Sequence, residues 1–196
     1  MSKKITILGA GESGLGAALL GKERGYDVFL SDGNKLSAEA TAFMETHSIK
    51  YEDGGHSFDR ILDTAFIVKS PGIPDTAPVI GAAHEKNIPV ISEIEFAYQH
   101  MDPEAKLVAI TGTNGKTTTT LLTYHLLKEA GLNVAMGGNV GVSFAKLVAE
   151  GGYDYYVVEV SSFQLDGIDT FKPDVAVLLN ITPDHLDRYE NDMQQY

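Results

Sequence analysis

The chain has 196 residues, 43% hydrophobic and 21% charged, an ordinary globular composition long enough for one large domain or two small ones. Its 15 Lys and Arg against 27 Asp and Glu give a formal charge of −12, which argues against nucleic acid or an anionic membrane as the main partner. There is no cysteine, so disulfides, thiolate metal sites and cysteine nucleophiles are excluded; no apolar run reaches about 18 residues, and a cytoplasmic protein is expected.

Strand and helix alternate from the start. Lys4 to Leu8 is a β-branched run, followed by a Gly-rich turn and an Ala- and Leu-rich helical stretch to Arg24. Tyr26 to Ser31 reads as a strand ending at Asp32, and Ala38 to His47 as a helix. Ala65 to Lys69 is a strand, Ala77 to Asn87 a helix, Ile88 to Ser92 a strand, and Glu93 to about Met101 a helix. Such alternation predicts βαβ units and a parallel sheet. A polar stretch containing Pro103 then interrupts the pattern, which restarts with an apolar strand from Leu107 to Thr111 and a helix from Lys116 to about Ala130. Further strands are expected at Asn133 to Met136, Tyr155 to Val160 and Val175 to Leu179, and a helix opening at Tyr189 to Tyr196. These elements place a boundary near residue 102: a Rossmann-like domain over 1–102, then the beginning of a phosphate-loop α/β domain over 103–196. Charge does not mark it, with nine basic against 15 acidic residues before the boundary and six against 12 after it.

Gly9-Ala10-Gly11-Glu12-Ser13-Gly14 fits GxGxxG between a strand and a helix, where the glycines permit a tight turn and close approach of an anion to the helix N-terminus. Asp32, 18 residues beyond Gly14, stands where a dinucleotide fold carries its ribose-binding acid. Alone, this motif favours a nicotinamide or flavin dinucleotide, with a turn needed only for packing as the blander reading. Gly112-Thr113-Asn114-Gly115-Lys116-Thr117-Thr118 is a second anion loop, in which backbone amides cradle phosphates, Lys116 neutralises them and the Thr117 hydroxyl suits Mg²⁺. It departs from the eight-residue GxxxxGK[ST] loop, since Ile110 stands where the first glycine belongs. Glu159 closes an apolar strand, a place where phosphoryl-transfer folds hold Mg²⁺. His185 follows another strand; His47, His56, His84, His100 and His125 read as surface or helix-face residues. A dehydrogenase uses only the first motif and a phosphate-loop kinase only the second, while a nucleotide-binding module without chemistry needs neither Glu159 nor His185.

The chain resembles the Mur ligases along its whole length. The resemblance rests on the two loops and on Ser70-Pro71-Gly72-Ile73-Pro74 and Gly138-Asn139-Val140-Gly141. It rests further on Glu159-Val160-Ser161-Ser162-Phe163-Gln164-Leu165 and on Asn180-Ile181-Thr182-Pro183-Asp184-His185-Leu186-Asp187-Arg188, and the short phosphate-loop spacing is this family's own. The resemblance implies an ATP-dependent, ADP-forming ligase of cell-wall synthesis that adds D-glutamate to UDP-N-acetylmuramoyl-L-alanine through an acyl phosphate. It implies that Glu12, Ser13, Gly33, Asn34, Ser70, Pro71 and Gly72 contact the UDP end, with Asn139 also on this substrate, and that Ser161 and Gln164 line its muramoyl and alanyl part. Gly33 and Asn34 depart from the Thr-Arg pair of better-known members. Lys116 would serve catalysis together with Glu159 and His185. Thr117 and Glu159 would hold one Mg²⁺ and His185 would help hold a second. The resemblance also implies a monomer, a carbamoylated lysine and a third domain beyond Tyr196, and therefore a fragment that does not turn over by itself.

Overall fold

The computed structural model describes residues 2–194 and 196. Its first sheet contains β1 (Lys4–Leu8), β2 (Asp27–Asp32), β3 (Lys50–Asp53), β4 (Ile67–Lys69) and β5 (Val90–Ser92), all parallel in the order β3-β2-β1-β4-β5. The connecting helices are α1 (Glu12–Glu23), α2 (Ala38–Thr46), the short α3 (Phe58–Ile61) and α4 (Pro78–Glu85), with α5 (Glu93–His100) following β5. The second sheet is also parallel, with β6 (Lys106–Thr111), β7 (Val134–Gly138), β8 (Tyr155–Glu159) and β9 (Val175–Leu178) in the order β7-β8-β6-β9. Around it run α6 (Lys116–Glu129), α7 (Phe144–Glu150) and α8 (Ser162–Leu165). The parallel-sheet α/β class expected from the alternation is what forms.

Period-two burial explains how the layers stack. Ile5, Ile7, Val28, Leu30 and Val68 enter one apolar cluster, whereas Leu8, Phe29 and Ile67 face a separate one with Val79, Ile80 and Ala83 of α4. In the second sheet Leu107, Ala109, Tyr156 and Val158 join the first of these clusters, while Ile110 and Val157 turn away from it. That shared cluster also takes Ala17, Ala18 and Leu20 of α1, Ile94, Phe96 and Ala97 of α5, and Phe144, Ala145, Leu147 and Val148 of α7. Three helices are thus packed between the two sheets and bury a common core.

Local chemistry sets the helix starts. Ser37, Ser92 and Ser143 accept hydrogen bonds from the amides three residues on, capping α2, α5 and α7, and Pro78 opens α4. α1 has no side-chain cap; Asp32 accepts from the Ala10 amide instead and pins the turn before it. The third glycine of the first motif is dictated by packing, since a Cβ on Gly14 would lie 1.9 Å from the Gly9 carbonyl oxygen.

Several boundaries differ from the sequence reading. β3, α3, α7 and α8 were not expected, being short or, for Lys50-Tyr51-Glu52-Asp53, polar. The helix expected at Tyr189 to Tyr196 does not form among the described residues of that stretch, and Gln195 lies outside them. A 3₁₀ turn at Leu186–Tyr189 is followed by left-handed backbone at Glu190 and Asn191, with φ of 53° and 59°, which interrupts any helix. Among the described residues no helix is long and apolar enough to cross a membrane.

Candidate functional site

Both sheets place their Gly-rich turns at strand C-terminal ends, where open α/β sheets bind ligands. In the first sheet the strand order reverses at β1, flanked by β2 and β4. A cleft of about 460 Å³ opens there, lined by Glu12, Ser13, Gly33, Asn34, Ser70, Pro71 and Gly72, all seven residues expected at the UDP end. Asp32 lines it too, but both its oxygens are engaged by backbone amides, Oδ2 by Ala10 at 2.7 Å and Oδ1 by Asn34 at 2.8 Å. It therefore fixes the turn. Ser70 Oγ is buried without a hydrogen-bond partner among the described residues, a polar atom that a ligand in this cleft would satisfy.

A second cavity, of about 370 Å³, lies at the C-terminal end of the second sheet and brings together Gly112, Lys116, Asn139, Ser161 and His185. The phosphate loop between β6 and α6 is clasped from β9's exit. Asn180 accepts from the amides of Thr113 and Asn114 through its backbone and side-chain oxygens, at 3.0 and 2.9 Å, and returns a bond to the Asn114 carbonyl at 2.9 Å. Thr113 Oγ1 donates to the Thr182 carbonyl at 3.1 Å. Lys116 Nζ donates to the carbonyls of Gly112 and Thr113 at 2.6 and 2.9 Å, which holds its charge over the loop.

Behind the loop, Thr117 Oγ1 donates to Glu159 Oε2 at 2.7 Å, and Asn139 Nδ2 donates to Oε1 at 2.8 Å. Gly138, at φ of 100°, makes this possible: a Cβ there would lie 2.3 Å from the Glu159 carbonyl oxygen. A buried carboxylate beside a hydroxyl, both hard oxygen donors next to a phosphate loop, suits Mg²⁺. No group of three His, Asp or Glu residues that could form a metal cage occurs among the described residues.

His185 adopts left-handed backbone with φ of 47°, its ring edge-on to Phe163 at 5.4 Å and its Nε2 3.8 Å from Asp184. Gln164 does not line the cavity: it is 2% exposed, and its Oε1 accepts from the Ser161 amide and hydroxyl at 2.9 and 3.0 Å. It closes the capping box of α8.

Two further residues were not given roles by their sequence context. Arg188 donates to the carbonyls of Pro71 and Gly72 at 2.9 and 3.3 Å and stacks over Phe163, tying the His185 loop to the first cleft. His56, read as a surface residue, lines the first cleft and bonds Ser31 Oγ at 2.7 Å. Its signal is invisible in sequence because its partners lie in a neighbouring strand.

The MurD N-terminal domain matches residues 4–79 and the Mur ligase middle domain matches residues 110–196. The chain belongs to the Mur ligase family. The UDP-N-acetylmuramoylalanine–D-glutamate ligase of Cytophaga hutchinsonii is 57% identical over the whole chain, and that of Bacteroides fragilis 54% identical over 99% of it. The chain spans 44% and 43% of the length of these two Mur ligases. Among solved structures, the UDP-N-acetylmuramate-alanine ligase MurC of Thermotoga maritima superposes with a TM-score of 0.62 at 27% identity, covering 99% of this chain and 45% of that one. A UDP-N-acetylmuramate:L-alanyl-gamma-D-glutamyl-meso-diaminopimelate ligase from Neisseria meningitides shares the fold, with a TM-score of 0.65 at 23% identity over 96% of this chain and 64% of that one. Membership of the Mur ligases disfavours the dehydrogenase suggested by the first motif alone.

Proposed function

We propose that this chain carries the UDP-substrate cleft and the phosphate loop of an ATP-dependent, ADP-forming ligase that adds D-glutamate to UDP-N-acetylmuramoyl-L-alanine in peptidoglycan precursor synthesis. The observation that carries the reading is the Lys116, Thr117, Asn139 and Glu159 constellation in the sheet next to a cleft lined by the seven residues expected at UDP. The names of the relatives at 57% and 54% identity support the same substrates.

In that reaction the γ-phosphoryl of ATP passes to the L-alanyl carboxylate, and the amine of D-glutamate displaces phosphate from the acyl phosphate. Two anions must first approach each other in a protein of charge −12, so positive charge has to be concentrated locally. Lys116 and the amides from Gly112 to Thr118 would take the phosphates, with the loop held in shape by Asn180. Two Mg²⁺ ions, when bound, would neutralise phosphate charge and polarise the transferred group, one held by Thr117 and Glu159 and the other with the help of His185. Ser70 would donate to the UDP end of the substrate, and Ser161 and Asn139 would face its acyl end.

We assign residues 1–102 to the substrate domain and 103–196 to the nucleotide domain of a monomeric cytoplasmic enzyme. Thermal unfolding of this chain tests the reading: UDP-N-acetylmuramoyl-L-alanine and Mg-ATP should each raise the midpoint, and NAD should not. Stabilisation by NAD alone would return the first motif to a dehydrogenase.

A further inference from the structure

The cleft of the first sheet has two unlike ends. The Gly-rich turn at the start of α1 offers amides and a helix N-terminus, which suit a diphosphate. The other end lies beyond β2, where a nucleoside continues in folds of this topology. Each oxygen of Asp32 already accepts from a backbone amide, of Ala10 or of Asn34, and Gly33 has no side chain. No lysine or arginine lines the cleft among the described residues.

His56 fills this gap from the connection between β3 and α3. A Cβ on Gly33 would lie 3.3 Å from His56 Nε2, so the glycine leaves the room in which the imidazole edge stands. The ring is held by its other nitrogen. Nδ1 lies 2.7 Å from Ser31 Oγ, and the Ser31 hydroxyl donates to Glu52 Oε1 at 2.8 Å. Glu52 also accepts from the Ser57 amide at 2.8 Å and from Arg60 at 3.1 Å. Burial works to raise its carboxyl, but the hydrogen bonds from Ser57 and Ser31 and the charge of Arg60 outweigh this and hold it below its ordinary value. An ionised carboxylate only accepts, and serine has a single proton to give. Ser31 therefore gives its proton to Glu52 and accepts from Nδ1–H. With a single proton on the ring, that proton sits on Nδ1 and Nε2 is left as an acceptor facing the cleft.

We propose that His56 is a specificity-determining residue whose Nε2 accepts a hydrogen bond from the nucleoside of the UDP-linked substrate, from uracil N3–H or the ribose 2′-hydroxyl. Ser31 and Glu52 are positioning residues that set the tautomer. The assignment rests on the reading of this cleft as the UDP site.

Calorimetric titration of this chain with UDP, 3-methyluridine diphosphate and 2′-deoxyuridine diphosphate tests it. The unaltered chain should bind UDP and discriminate about tenfold against one of the two analogues, the one lacking the donor. His56→Ala and His56→Phe should weaken UDP about tenfold and bind that analogue as well as UDP, while Mg-ATP binding stays unchanged. His56→Gln, which restores an acceptor, should recover part of the discrimination. Should the alanine and phenylalanine variants fold poorly, the nitrogen-15 shift of His56 Nε2 on adding UDP to the unaltered chain reports the same bond. A shift toward the hydrogen-bonded value supports the assignment, and no shift overturns it. Unchanged UDP affinity in a folded His56→Ala, or no discrimination by the unaltered chain, overturns the assignment while leaving the UDP site intact. No UDP binding by the unaltered chain overturns both.

Discussion

Thr117 and Glu159 meet between the start of α6 and the end of β8, the threonine hydroxyl 2.7 Å from one carboxylate oxygen while Asn139 holds the other at 2.8 Å. Glu159 is 2% exposed. Replacing it by the isosteric amide keeps the shape but removes the anionic oxygen that a hard cation needs. Glu159→Gln should weaken Mg-ATP about tenfold or more while leaving metal-free ATP within about twofold. Titrations with Mg²⁺ and with EDTA measure both. An equal loss in the two conditions would mean that Glu159 shapes the loop and does not hold the ion.

Glu95 shows how the second sheet's long connection is fixed to the first. Fully buried on α5, it accepts from the amides of Asp169, Thr170 and Phe171, from the Thr170 hydroxyl and from Gln99. Burial alone would raise its carboxyl, but the hydrogen bonds from Thr170, Asp169 and Gln99 win and hold it below its ordinary value. A depressed carboxylate contributes stability above its unfolded value and loses it as pH falls through the folded one. Glu95→Gln turns an amide NH₂ toward groups that already donate, and should cost about 2–4 kcal/mol near neutrality. The difference from the unaltered chain should shrink below about pH 4.5. Urea unfolding at pH 7 and pH 4 checks the magnitude and its slope.

Much of this fold, and the residues lining its candidate clefts, was legible because apolar runs and glycine spacing are local signals. Ile5, Ile7, Val28 and Leu30 announce β1 and β2, and the glycines at 9, 11 and 14 announce the turn whose neighbours line the first cleft. What escaped depends on contacts between distant residues. β3 is an edge strand of Lys, Tyr, Glu and Asp, with no apolar run to mark it. Gln164 sits in a family string beside Ser161, and its side chain also closes the cap of α8, a contact that no spacing announces. His56 acquires meaning only when Ser31, 25 positions away, comes within 2.7 Å. Asn180 likewise becomes the clasp of the phosphate loop only once β9 pairs beside β6.

Glu93, two positions before Glu95, behaves in the opposite sense. It is 1% exposed, its Oε1 accepts from the Ala145 amide, and Oε2 has no partner among the described residues. Burial pushes its carboxyl up to about 7, the Ala145 amide works against this, and the negative charge of Glu12 adds to the rise. A carboxyl raised in the folded chain binds more protons there than when unfolded, so stability falls as pH rises from about 4.5 to about 7 and is level above. Glu93→Gln keeps the acceptor for Ala145 and removes the charge. It should be more stable than the unaltered chain at pH 8, by up to about 3 kcal/mol, and equal to it near pH 4. Parallel curves for the two proteins across this range would show that Glu93 stays ionised in the core.

Gly16 tests the contact between the two halves. In an ordinary helix interior, glycine to alanine favours folding by roughly 0.4–1 kcal/mol, because alanine has fewer unfolded conformations to lose. Here a Cβ would lie 1.9 Å from Ser143 Oγ and 3.1 Å from the Lys146 amide, where α1 crosses the start of α7. Ser143 has no freedom to retreat, being fully buried and accepting from Lys146 at 3.2 Å to cap α7. Overpacking therefore outweighs propensity, and Gly16→Ala should destabilise by about 1–3 kcal/mol. Gly81, within α4, supplies the control, since a Cβ there meets nothing within 4 Å. Gly81→Ala should follow propensity and stabilise by about 0.4–1 kcal/mol. Opposite signs in matched denaturation curves would locate the tight seam between the sheets at the crossing of α1 and α7; equal stabilisation by both would show that α7 yields to the added methyl.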